Sequence, residues 1–436
     1  MSFPGPRSQD YRNREETLLA PGLQRFAQMA GIALKRGQGT RVYDVDGRSY
    51  IDFIGGIGVG GIGHSHPGWV AAVEEQLRRL VVGSFTTPAR VDLLERISEF
   101  RPSPRLKRVQ LYTSGAEAVE SALRLAKCHT GRHEIISFWG GFHGKTLGTL
   151  SAMGSDARRG WGPLAPGYHL APYADCRRCP MNLEHPSCGL ACADAVREQI
   201  RRSSAGSVAA ILVEPMQGTA GNVIPPPEFL RAVRSIADEL GALLIADEMI
   251  TGFGRTGRDW GVHHSGVEPD IVTIGKQFGG GMPVSGIITR DEIAASRPWS
   301  EPSGSSSSYG GNPLACAAAA ATLRIIREEK LVENSRRMGE LLLARLRRLS
   351  DKHGVIGEVR GQGLFIGMEL VDARDRKSKL PRATCERIFQ ECLRRGLLTM
   401  AYDPVFRLQP AMVIDEPTLD EAVLILDEVL GEVCGG

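Results

Sequence analysis

Two charged residues stand where apolar runs end. Leu243-Leu244-Ile245-Ala246 leads into Asp247, and Ile271-Val272-Thr273-Ile274-Gly275 leads into Lys276. Each run is short and mostly apolar, so each reads as a buried strand with its charge at the carboxyl end. In open α/β sheets that is the end where ligands bind. A lysine beside a buried acid has two readings. One is a structural ion pair. The other is a Schiff-base lysine, activated where burial disfavours its charge. Gln277-Phe278-Gly279-Gly280-Gly281 follows Lys276, a turn where backbone can approach a ligand closely. Three more segments bear on the choice. Thr113-Ser114-Gly115-Ala116 follows a strand pattern and opens a helix, where backbone N–H groups and the helix dipole favour an anion. Gly140-Gly141-Phe142-His143-Gly144 sets an aromatic among glycines, either a packed loop or a plate for a flat ring. The stretch from Gly304 to Pro313 is rich in hydroxyls and glycines, either a flexible loop or a source of phosphate donors.

These residues need a frame. From about residue 105, short β-branched runs alternate with helical patterns. Strands are expected at Val109–Tyr112, Glu134–Phe138, Ala209–Val213, Leu243–Ala246, Ile271–Ile274 and Ser285–Ile288. Helices are expected at Ala116–Lys127 and at Glu228–Leu240, the latter stopped by Gly241. The alternation predicts an α/β domain with a mostly parallel sheet. Ahead of it, Arg41–Gly47 reads as a hairpin turning at Asp46-Gly47. After about residue 325, charged helices set around Val359–Leu370 and Phe406–Ile414 suit a smaller α+β domain. Its last helix is expected to open on a capping box, Thr418-Leu419-Asp420-Glu421. The expected division is an N-terminal arm and part of the small domain at 1–70, a large domain at 71–325, and a C-terminal small domain at 326–436.

Bulk properties exclude some classes. With 436 residues, 42% apolar and 24% charged, the chain has an ordinary globular composition. A net charge of +3 is too small to argue for nucleic acid or a membrane surface. No stretch approaches the roughly 18 apolar residues of a membrane span, and the polar start has no signal-peptide core. Nine cysteines, an odd number without a secretion signal, point to a reducing cytoplasm.

Taken in order, the motifs resemble one family. They are Gly47–Pro67 with Gly63-His64-Ser65-His66-Pro67, Ser114-Gly115-Ala116-Glu117-Ala118, Phe142-His143-Gly144-Lys145-Thr146, Glu214-Pro215-Met216-Gln217-Gly218, Asp247 to Gly257, Lys276, and Tyr309-Gly310-Gly311-Asn312-Pro313. From about Arg41 to the last helix the chain resembles the class III (ω-amino-acid type) pyridoxal-phosphate (PLP) aminotransferases of fold type I. The resemblance implies a large PLP-binding domain with a mostly parallel seven-stranded sheet flanked by helices, and a small α+β domain built from both chain ends. It makes Lys276 the aldimine lysine, which also moves the proton between Cα and C4′. It makes Asp247 the acid that keeps the pyridine nitrogen protonated, so that the ring is an electron sink. Phe142 would stack on the ring and Met249 would lie behind its other face. Ser114, Gly115 and Ala116 would hold the phosphate, and His143 and Glu214 complete the cofactor's neighbours. Ser308 matches a threonine that reaches the phosphate from a neighbouring subunit, which implies a homodimer with sites at the interface.

The implied reaction moves an amino group from an ω-amino acid, amine or amino acid to a 2-oxo acid such as 2-oxoglutarate or pyruvate. A racemase or epimerase, or a decarboxylase, on the same scaffold is the alternative. A non-catalytic PLP-binding protein is disfavoured by the intact Lys276 and Asp247. Three positions depart from the family's pattern. Ile250 replaces a glutamine bonded to the cofactor's phenolic oxygen. Lys145 replaces an arginine that 4-aminobutyrate-type enzymes use for a distal carboxylate, although Ile57 matches those enzymes. Thr219 replaces a glutamate that pairs reversibly with a carboxylate-binding arginine, here Arg407. Thr219 cannot ionise, so it cannot mask Arg407 by charge.

One cluster lies outside every cofactor motif. Cys176-x2-Cys179 is followed by Cys188-x3-Cys192, with His185 between the pairs. The spacing suits a tetrahedral thiolate site for structural zinc or, alternatively, an iron–sulfur cluster. Plain thiols or oxidised pairs are the other readings.

Overall fold

A computed structural model describes residues 3–435. The chain forms two compact units, one of Gly68–Val332 and one of Met1–Pro67 with Glu333–Gly436.

The larger unit is built on seven strands: β1 (Arg108–Tyr112), β2 (Glu134–Phe138), β3 (Tyr168–Ala171), β4 (Val208–Val213), β5 (Leu243–Asp247), β6 (Ile271–Ile274) and β7 (Ser285–Thr289). Their order in the sheet is β1-β7-β6-β5-β4-β2-β3. From β3 through β6 every neighbouring pair is parallel. β7 runs antiparallel to both β1 and β6. All residues of β2, β4, β5, β6 and β7 are buried. That is why these strands appear in the sequence as continuous apolar runs rather than as alternations. The edge strand β3 is only half-buried, and its four residues carry no such signal.

Helices cover the sheet. On one face lies α1 (Gly115–Thr130), whose Ala118, Ala122 and Ala126 share a buried cluster with Ala210, Leu212, Ile245, Ile271 and Ile287. Alanines at this spacing form one smooth helix face that the strands' branched side chains can meet. Two further helices are α2 (Ala191–Ser203) and α3 (Pro227–Leu240). α3 buries Phe229, Leu230, Val233, Ile236 and Ala237, and Gly241 ends it in the left-handed conformation, φ 59°.

In the smaller unit, Arg41–Asp44 and Ser49–Asp52 form the expected hairpin, which turns through Gly47 at φ 94°. Leu397–Leu398 pairs in parallel with the second of these strands, so both ends of the chain build one sheet. A second sheet joins Ile356–Gln362, Phe365–Leu370 and Val405–Leu408. Met338, Leu342, Leu346 and Leu349 pack into the same core as Phe389, Cys392 and Leu426. The last helix, Glu416–Cys434, departs from expectation. Its cap is Asp415, whose carboxylate accepts from the Thr418 N–H at 3.0 Å. Pro417 has no N–H to satisfy, so the helix can begin before Thr418, and Asp415 rather than a Thr418 capping box closes its end. Among the described residues no helix is long and apolar enough to cross a membrane.

Candidate active site

The parallel strands deliver their carboxyl ends to one edge of the sheet, and the polar residues gather there. Asp247 is the last residue of β5 and is 4% exposed. Its Oδ1 accepts from Thr273 Oγ1 at 2.8 Å and from the Met249 N–H at 3.2 Å. Its Oδ2 lies 2.7 Å from Nδ1 of His143, which is equally buried. Both oxygens are therefore fixed before any ligand arrives. The neighbouring Glu248 is directed elsewhere and accepts from the Gly261 and Val262 N–H groups at 2.9 and 2.8 Å. Burial alone would disfavour protonated His143, but the Asp247 hydrogen bond and charge outweigh it, with Glu214 adding, and its pKa lies above the ordinary value.

Glu214 follows β4 and is buried. Its two oxygens accept from the Phe142 and Gly218 N–H groups, both at 2.9 Å. It thus ties the aromatic loop to the loop carrying Thr219. Burial raises its pKa, and the opposing pull of His143 and of the two N–H groups does not cancel that rise.

Lys276 comes immediately after β6 and Gly275. Its backbone is left-handed, φ 47°. For a residue with a Cβ this costs about 1–2 kcal/mol, a strain that persists where the surroundings over-determine the position. Here they do. A Cβ on Gly275 would stand 2.7 Å from Met249 Sδ, and one on Gly280 would stand 2.5 Å from Thr322 Oγ1. Gly115 lies against the same Met249 sulfur, at 3.1 Å from a built Cβ. Met249 therefore sits between the start of α1 and the residue before Lys276.

One cavity is lined by Phe142, Glu214, Met216, Thr219, Asp247, Met249, Ile250, Thr251 and Lys276. Ile250 turns Cδ1 toward Gly218, where a Cβ would meet it at 2.5 Å. Ser114 caps α1, its Oγ accepting from the Glu117 N–H at 3.2 Å, so Gly115 and Ala116 present the first N–H groups of the helix. Gly144, φ 132°, lies against Ala116, with a built Cβ 2.7 Å from the alanine's own, which brings the Phe142 loop to the helix start. A lysine at a strand end, an acid held by three donors, an aromatic and a helix N-terminus fit a flat, phosphate-bearing cofactor with a ring nitrogen.

Other residues singled out in the sequence are placed differently. Lys145 and Ser308 are exposed and do not line the cavity. Ile57 and Arg407 belong to the smaller unit. There, Gly55 packs on the Gln409 carbonyl, 2.7 Å from a built Cβ, so the Ile57 loop and the Arg407 strand are neighbours. Ile57 is itself left-handed, φ 65°. Three residues were missed by sequence reasoning. Thr273 bonds Asp247, and Met216 and Thr251 line the cavity. A hydroxyl inside the apolar run Ile271–Ile274 was the available sign of the first.

The expected thiolate metal site is corrected. Among the described residues, no group of three or more His, Cys, Asp or Glu side chains is arranged to hold a metal ion. Cys176, Cys179, Cys188 and Cys192 border one small cavity with His185, but Cys176 is exposed in an irregular turn and Cys192 is buried in the first turn of α2.

Comparison with known proteins agrees with this geometry. The family described as Aminotransferase class-III matches residues 24–430. The leucine/methionine racemase of Thermococcus litoralis is 34% identical over 411 residues, covering 93% of this chain and 91% of the relative. The 5-aminovalerate aminotransferase DavT of Pseudomonas aeruginosa is 37% identical over 413 residues, covering 93% and 95%. Among solved structures, an amine transaminase from an uncultivated Pseudomonas species, in its PLP-bound form, superposes with a TM-score of 0.88 at 31% identity, covering 95% of this chain and 98% of that one.

Proposed function

The chain belongs to the class III aminotransferases, which are PLP-dependent enzymes, and from that premise we propose how its own residues divide the work of transamination. The carrying observation is the Asp247 carboxylate, held on both oxygens at the carboxyl edge of the sheet and lining one cavity with Lys276. When bound, PLP supplies the electron sink for a carbanion at the substrate's Cα. Lys276 would hold the cofactor and would carry the proton to and from the substrate's Cα. Asp247 keeps the ring nitrogen protonated, and His143 and Thr273 hold Asp247 in place. Phe142 and Met249 flank the ring. The N–H groups of Gly115 and Ala116, at the turn begun by Ser114, receive the phosphate. Ile250 offers no hydrogen bond to the phenolic oxygen.

The reaction takes an amino donor and a 2-oxo acid acceptor. We assign the donor to ω-amino acids, amines or amino acids and the acceptor to 2-oxoglutarate or pyruvate. Arg407 is the carboxylate ligand in this reading, through the planar fork of its guanidinium. Adding a donor without acceptor should convert bound PLP stoichiometrically to the pyridoxamine form, and adding 2-oxoglutarate or pyruvate should restore it. The likeness to a leucine/methionine racemase supports a second reading, in which Cα is reprotonated from either face. That reading would give inversion of an α-amino acid with no pyridoxamine form.

A homodimer is part of the proposal. Leu80, Val81, Val82 and Phe85 are exposed close together in sequence, Phe85 at 87%, and such a patch is expected to be covered. Ser308 would then serve the partner's phosphate. Light scattering on the holoenzyme should give twice the chain mass. A cytoplasmic location belongs to the same reading, supported by nine cysteines that are all free thiols.

A further inference from the structure

The connection from β3 to α2, residues 172–190, is irregular throughout. Unstructured stretches of this length inside a compact unit are uncommon and mostly have a task. Its first residues are anchored, since Tyr173 Oη donates to the Glu214 and Pro215 carbonyls at 3.0 and 3.2 Å. Beyond them, Cys176, Cys179, Cys188 and Cys192 border a single small cavity. None is bonded to another, and the candidate active site uses none of them.

We propose that Cys176 and Cys179 are an oxidation site, forming a reversible disulfide with a hydroperoxide as the oxidant. Cys176 is the exposed member of the four and meets the oxidant first. Cys179 lies three residues on in the same turn. That turn is shaped by the Arg178 N–H donating to Asp175 Oδ1 at 3.2 Å and the Asn182 N–H donating to the Cys179 carbonyl at 3.0 Å. Cys192 faces the same cavity but is fixed and buried in the first turn of α2. In the first step the Cys176 thiolate attacks the outer peroxide oxygen. The S–O bond forms, the O–O bond breaks, and water (or an alcohol, from an alkyl hydroperoxide) leaves with the protons. In the second, the Cys179 thiolate attacks the Cys176 sulfur, the S–S bond forms, and the S–O bond breaks to release water. The peroxide is reduced by two electrons and the two thiols are oxidised by two. Burial and then the neighbouring thiols push Cys176 up to about 11, so the reactive thiolate is scarce at neutral pH and the response is slow there.

The test uses PLP-loaded protein treated with hydrogen peroxide, alkylated and mapped by mass spectrometry. The expected product is a peptide bridged between Cys176 and Cys179, two hydrogens lighter than the free dithiol and restored by dithiothreitol. Cys179→Ser should abolish the bridge and leave Cys176 as a sulfenic acid trapped by dimedone. The proposal is overturned if Cys176 proceeds to sulfinic acid with no bridge in the parent, if the bridge forms elsewhere, or if the purified protein holds the four thiols on a stoichiometric metal that blocks alkylation.

Discussion

At the carboxyl edge of the sheet, Asp247 has both oxygens occupied by Thr273, Met249 and His143. Between β3 and the first turn of α2, four cysteines share a cavity, but their thiols are free and the connection that carries three of them is irregular. Both regions presented reactive side chains at short, suggestive spacings. The difference lies beneath the side chains. The first stands on buried parallel strands that fix backbone position to the residue, and the second on turns whose spacing along the chain does not set spacing in space. Catalytic geometry needs the former, because small displacements of a reacting group are costly. A thiol that meets a diffusing oxidant does not.

The sharpest test of the first region is Lys276→Ala. Turnover should vanish, because no other lysine lines the cavity. Borohydride reduction of the parent should fix the cofactor to the peptide carrying Lys276. Cofactor fixed at any other lysine would remove the assignment. Next in size is His143→Phe, which keeps a ring but takes the hydrogen bond from Asp247. A hydrogen bond to a charged group is worth about 1.5–3 kcal/mol, so kcat should fall about 10- to 100-fold. Affinity for PLP should change little, since His143 acts through Asp247. An equal loss in both quantities would mean the imidazole merely supports the fold.

The second region should behave oppositely. Cys176→Ser with Cys179→Ser should leave kcat within about twofold of the parent and stability within about 0.5 kcal/mol, the range of partly exposed substitutions. Chelator should leave the melting temperature unchanged. A drop of several degrees with chelator would show that these thiols are joined by a metal and would erase the contrast between the regions.

The strands of the sheet were legible because burial on both faces writes them as apolar runs, as in Val208–Val213 and Leu243–Asp247. The edge strand Tyr168–Ala171 was not, being short and half-buried. Lys276 and Asp247 were visible as charges at strand ends. The partners of Asp247 were harder to see. His143 is 104 residues away and Thr273 is 26 away, and only the folded sheet brings them together. The cysteines failed in the opposite direction. Their spacing satisfied a ligand pattern, but a pattern in sequence does not place four sulfurs on a tetrahedron. At the last helix a capping box was read at Thr418, where the Asp415 carboxylate had the better reach.

The smallest expected effect concerns pH, and it probes the His143–Asp247 pair with Glu214 beside it. Burial by itself lowers the pKa of an imidazole. That of His143 is raised because Asp247, with Glu214 behind it, outweighs burial, and Lys276 opposes them. A histidine whose folded pKa exceeds its unfolded value, about 6.5, stabilises the fold fully below that value and loses the contribution as pH rises through the folded pKa. In Asp247→Asn the largest favourable cause disappears while burial stays, so the shift should shrink or change sign. The stability difference between parent and Asp247→Asn should therefore be larger near pH 6 than near pH 9, in the direction of a weaker variant at low pH. Glu214 remains in both proteins, but Asp247 is one of the causes that raise its pKa and His143 one that lowers it, so its change is part of the same difference. Urea midpoints across that range measure the quantity directly. A difference that is flat in pH, or that grows toward pH 9, would mean that His143 is neutral in the folded protein and that the Asp247 charge is balanced from elsewhere.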